Sequence, residues 1–164
     1  MHRSALLFLA LPLLGCPSEP GEPVAKLGAG EVEWEDLGSE APVIFGPQGG
    51  YHIDSAVRIG GMDAGDPDDL SSDRNPTITY SLTWEGEDLL LDGFGVIVQG
   101  LDPIPGEGAA PYTHELLARR VLLDRDDDTL DGAVVELTVE VVDADGLEAS
   151  DTVELTLYPH PLND

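Results

Sequence analysis

A chain of 164 residues, 41% of them hydrophobic, is long enough for one folded domain with a core, and the composition excludes wholesale disorder. Its 33 Asp and Glu against 7 Lys and Arg give a formal charge of −26, which repels nucleic acid and anionic lipid headgroups and leaves cations, basic proteins or neutral glycans as partners. The lone cysteine, Cys16, excludes a fold stapled by disulfides.

The first sixteen residues, MHRSALLFLALPLLGC, run from His2 and Arg3 through an apolar block, Ala5 to Leu14, to Gly15-Cys16. A short basic start and an apolar stretch too brief to span a bilayer describe a secretory signal peptide over residues 1–15. Leu13-Leu14-Gly15-Cys16 resembles the lipobox of bacterial lipoproteins. The resemblance implies cleavage before Cys16, lipidation of its thiol and anchoring in the bacterial cell envelope. Each buried methylene contributes about 0.8 kcal/mol, so two or three chains anchor stably where one does not. Pro17 stands where enteric lipoproteins retained in the inner membrane carry Asp, so the resemblance implies the outer membrane. Residues 16–30 then read as the lipidated Cys and a Pro- and Gly-rich tether with no hydrophobic period, reaching about 20 Å.

A folded domain is expected over residues 31–160. Glu31–Leu37 alternates, with Val32 and Trp34 on one face. Tyr51–Ile59 sets Tyr51, Ile53, Ser55, Val57 and Ile59 against His52, Asp54, Ala56 and Arg58, and Thr77–Trp84 repeats the pattern with Ile78, Tyr80, Leu82 and Trp84. Period two with one apolar face is the signature of a half-buried strand. Leu89–Leu91 and Gly95–Leu101 read as short strands flanking an Asp92-Gly93 turn. His114–Arg119 could form a helical turn, but a strand is preferred for Ala118–Leu123. Ala133–Val142 and Thr152–Tyr158 alternate on either side of Asp143-Ala144-Asp145-Gly146 and make a hairpin, ended by Pro159 and Pro161. Seven to eight short strands with Gly, Pro and Asp punctuation predict an all-β fold, a single β-sandwich. The terminal hairpin, VELTVEVVDADGLEASDTVELTLY, resembles the last two strands of bacterial immunoglobulin-like and cadherin-like domains, without the Cys–Trp–Cys core of antibody domains. The layout of an acidic lipoprotein with one sandwich also resembles lipoproteins of predatory and soil-dwelling deltaproteobacteria-type bacteria.

No catalytic constellation stands out. His114-Glu115-Leu116-Leu117-Ala118 opens like a zinc-protease helix, but Ala118 occupies the second His position. His52 and Asp54 share a strand face with no nucleophile placed beside them. Asp124, Asp126 and Asp128 have EF-hand spacing, but Thr129 replaces the required Gly and Val135 the bidentate Glu. Calcium needs six to eight oxygens, so carboxylates must converge. In an immunoglobulin-like topology the loop after the second strand and the loop after the sixth share one end of the sandwich. A candidate Ca²⁺ site, or a cation-stiffened binding rim, therefore joins Asp66, Asp68 and Asp69, with Asp63 and Asp73 nearby, to Asp143, Asp145 and Asp151, with Glu148 beside them; the competing reading is a pair of solvated Asp turns.

The sequence thus leads to two functional expectations. The first is a non-catalytic, membrane-anchored envelope lipoprotein, a structural or protein-binding module whose partners are the membrane, through its lipid, and an envelope or cell-surface protein. The second is a Ca²⁺-dependent adhesion or glycan-binding domain, in which Trp34 or Trp84 stacks on sugars.

Overall fold

The computed structural model describes residues 21–47, 49–106 and 109–163. The signal segment 1–15, Cys16 and the start of the expected tether lie outside the described residues. In chain order the strands are β1 (Val24–Ala29), β2 (Glu35–Asp36), β3 (Glu40–Phe45), β4 (Tyr51–Gly60), β5 (Thr77–Trp84) and β6 (Glu87–Asp88), followed by β7 (Val96–Val98), β8 (Asp102–Pro103) and β9 (His114–Leu123). A single-turn helix, α1 (Asp127–Leu130), leads into β10 (Val134–Val142) and β11 (Glu148–Pro159).

The strands form two layers. One layer runs β2-β1-β4-β9-β8, all antiparallel. The other runs β11-β10-β5, with β6 and β7 both paired to β5. Strand β3 joins them: residues 40–43 run parallel to β11, then Ile44 and Phe45 turn onto His52 and Tyr51 of β4. A strand split between the layers ahead of β4, with β4 on β9 and β11 on β10 on β5, is the pairing of an immunoglobulin-like sandwich, to which β1 and β2 are added at the β4 edge. Eight strands are longer than two residues, the number expected, but β1 and β3 are among them in place of the expected strands at 31–37 and 89–91.

The layers meet through the faces that the alternation marks. Ile53, Val57 and Ile59 of β4 are fully buried against Ile78 and Leu82 of β5 and Leu137, Val139 and Val141 of β10. Each such side chain contributes about 1.5–3 kcal/mol through burial. Ser55, equally buried, donates its hydroxyl to Tyr80 Oη at 3.2 Å, so one polar contact crosses the core satisfied.

Five elements differ from the sequence reading. Leu89–Leu91 is not a strand: the chain pairs with β5 at Glu87 and Asp88, and Leu90 makes only an isolated bridge to Leu123. The supposed tether contains β1: Val24–Gly28 pairs with Gly60–Ala56 of β4, and Leu27 is buried in the core. The domain therefore begins before residue 31. The expected strand Glu31–Leu37 is mostly a turn in which only Glu35 and Asp36 fold back onto β1, leaving Val32 exposed. β3, an apolar run interrupted by Pro42, was not expected as a strand. β9 starts at His114, not Ala118. Within β9, Val57 faces Leu116 while Ser55 faces Arg119, so Leu117 and Ala118 together oppose Ala56. This is a β-bulge, and Ala118 takes a positive φ of 54° there. The Ala118 N–H leaves the ladder and donates to the Gly30 carbonyl at 3.1 Å.

Candidate functional site

The topology brings the two acidic loops together, as expected, but a guanidinium fills the space between them. Arg74 donates to both carboxylate oxygens of Asp145 at 3.1 and 3.0 Å and to Asp63. Asp143 is buried and works on the backbone. Its oxygens accept the N–H groups of Asp63 at 2.9 Å, Asp145 at 2.9 Å and Leu147 at 2.8 Å. Burial pushes this carboxyl up, but the backbone donors outweigh it and hold it below the usual carboxylate range. Asp143 thus closes the β10–β11 turn and ties it to the loop after β4.

The remaining candidate calcium ligands lie apart from that pair. Asp66 accepts the Asp68 N–H at 3.0 Å, and Asp69 accepts the N–H and hydroxyl of Ser71 at 2.9 and 2.6 Å. These are local Asx turns. Asp68 is exposed and points to no shared centre. Asp151 belongs to β11, where it accepts the Leu27 N–H at 2.8 Å and links the edges of the two layers. Among the described residues, no group of three or more His, Cys, Asp or Glu side chains converges in a way that could hold a metal ion.

Other residues singled out in the sequence have local partners. His52 is buried, 3.5 Å from Asp54, and burial lowers its pKa despite that neighbour. His114 Nδ1 lies 3.0 Å from the Thr113 hydroxyl, and His160 Nδ1 accepts the Leu162 N–H at 3.2 Å. Asp126 caps α1 by accepting the Thr129 N–H at 2.9 Å. The Trp34 indole packs directly on Gly28, where any Cβ would strike it, and the Arg58 guanidinium lies 4.3 Å from its ring centre. Trp84 packs against the core. Neither ring is an open platform for a sugar.

A different feature emerges on the side of the sandwich between β7 and β9. The bonds from Tyr80 N–H to Gly95 O (2.7 Å) and from Gln99 N–H to Pro76 O (3.3 Å) flank the β5–β7 pairing and set its phase. Ile97 faces Ile78 as a hydrogen-bonded pair. Val96 and Val98, opposite Thr79 and Thr77, therefore aim their N–H and C=O groups away from β5. Their side chains are 59% and 54% exposed, and Phe94 beside them is 55% exposed. Exposed edges are normally blunted by shortness, Lys, Pro or a bulge; Val96-Ile97-Val98 is short, three residues, but carries no Lys, Pro or bulge.

Across from β7, the Leu122 carbonyl accepts the Leu91 N–H at 2.9 Å, so Arg120, two residues earlier in β9, turns its backbone groups to the same open side. Between the two edges lies a slot of about 460 Å³ lined by Phe94, Val96, Ile97, Arg119, Arg120 and Leu122. The bulge at Ala118 puts Arg119 in phase with buried Val121 and Leu123, so its side chain enters the space between the layers. There its Nη1 reaches Gln99 Oε1 at 3.4 Å, and its buried Nε has no hydrogen-bond partner. The sequence shows an apolar strand at 95–101, but not that half its backbone groups face solvent. Comparison with protein families, with curated proteins and with solved structures finds no match for this chain.

Proposed function

We propose that this chain is a non-catalytic module of the bacterial cell envelope, held at a membrane by lipid on Cys16, that binds an envelope protein by accepting one of its strands along β7. The observation that carries the reading is the open edge of Val96-Ile97-Val98. Adding a strand there would satisfy four backbone groups and cover the exposed valines and Phe94, the mode of recognition known as β-augmentation. The lipobox resemblance supports the anchor. Residues 17–23 span at most about 25 Å between Cys16 and β1, so the body would stay close to the membrane surface.

The test is photo-crosslinking in the cell that makes the protein, with a photoreactive side chain at position 98 and, as a control, at exposed position 134 on β10. The expected result is one discrete adduct from position 98, absent from position 134 and lost when Val96→Pro removes an outward N–H. Equal adducts from both positions, or an adduct indifferent to Val96→Pro, would refute docking at β7.

A further inference from the structure

We propose that Arg119 reads a carboxylate on the incoming strand, so that the slot between β7 and β9 selects an acidic side chain; this rests on the docking reading above. Basic groups are scarce in this chain, 7 against 33 acids. Lys26, Arg58, Arg74, Arg120 and Arg125 each lie within 4.0 Å of a carboxylate. Among the described residues Arg119 alone has none. It also enters the space between the layers, where it stands in the wall of a slot lined by Phe94, Val96, Ile97 and Leu122 and, on the same strand, by Arg120, which is already paired with Glu31 at 3.8 Å. Its single contact, to the neutral amide of Gln99, leaves most of the fork unused and Nε unpartnered. A half-buried guanidinium with no counter-ion and an unpartnered Nε is under-satisfied, and an arriving carboxylate would supply the missing partner through two parallel N–H···O bonds. The acidity of the body does not forbid this. At physiological salt, charges beyond about 8 Å are largely screened, while a pair inside the slot is not. The ligand class is therefore an extended peptide segment, β-branched or apolar at alternate positions, with one Glu or Asp placed to enter beside Phe94.

The experiment titrates the purified protein with capped, fluorescent peptides of alternating Thr and Val. One Glu is walked through the central positions, and a matched set carries Gln. One Glu peptide is expected to bind about tenfold more tightly than its Gln counterpart. Arg119→Gln should close that gap, and Val98→Pro should weaken every peptide. Thermal unfolding adds a readout that a purely structural arginine would fail: Arg119→Gln should melt at or above the wild-type temperature, because it removes a half-buried charge with no counter-ion. Glu and Gln peptides binding alike, with both lost in Val98→Pro, would overturn the role of Arg119 and leave docking intact. No binding by any peptide, or binding untouched by Val98→Pro, would overturn docking and the inference with it. A marked loss of melting temperature in Arg119→Gln would place the residue in the fold instead.

Discussion

Replacing Asp143 with alanine removes the acceptor of three backbone N–H groups in one step: those of Asp63, Asp145 and Leu147. Hydrogen bonds to a charged acceptor contribute about 1.5–3 kcal/mol each when intact. All three bonds are part-buried, so the freed amides regain water only in part. The expected net loss is about 3–5 kcal/mol, a large share of the roughly 5–15 kcal/mol that holds a domain folded. Asp143→Asn keeps one carbonyl oxygen for Asp145 and Leu147 and turns an NH₂ towards Asp63, so it should cost about 1–3 kcal/mol. Urea denaturation at equilibrium reads both as a lower midpoint with an unchanged slope. The folded-state pKa of Asp143 is depressed, so its contribution is complete above the unfolded value near 3.8 and disappears as pH falls through the folded value. The difference between wild type and Asp143→Asn should therefore shrink below about pH 4. An alanine variant within about 0.5 kcal/mol of wild type at pH 7 would refute the claim that this carboxylate ties the loops together.

Two further outcomes rest on the geometry and a third on the lipobox resemblance. Ca²⁺, Mg²⁺ and NaCl at matched ionic strength should raise the melting temperature equally, because Arg74 already occupies the space between Asp63 and Asp145 and pairs with both; a Ca²⁺-selective rise would contradict that arrangement. Tyr80→Phe should cost about 1–2 kcal/mol in the same urea assay, since it strands the buried Ser55 hydroxyl, and no loss would mean that the cross-core bond is idle. Metabolic labelling with a lipid analogue should mark the wild-type chain and not Cys16→Ser; equal labelling would remove the anchor from the proposed function.

What the sequence made legible follows from what controls each element. β5, β10 and β11 were readable because one face of each is buried and the other is largely not, which imposes alternation, and β4 because its large apolar residues still fall at alternate positions, although His52 and Ala56 on its second face are buried too. β3 was not: the run Ala41-Pro42-Val43-Ile44-Phe45 has no alternation, since this strand changes layers midway. β1 was masked by the Pro and Gly around it, and its strand character comes from pairing with β4. The meeting of the two acidic loops was deducible from topology alone, but nothing in the spacing shows that Arg74 would reach between them. Least legible was Arg119. Simple alternation from Leu116 would put Ala118 and Arg120 inward, and only the bulge at Ala118 shifts the phase so that Arg119 enters the slot.

The central claim, that β7 is an open edge built to accept a strand, is tested most directly by amide hydrogen exchange at single-residue resolution on the protein alone. Rapid exchange is expected at Val96 and Val98 and slow exchange at Ile97 between them, because only Ile97 donates into the β5 ladder. Protection of Val96 and Val98 comparable to that of Ile97 would mean that the edge is already satisfied, and would contradict the account.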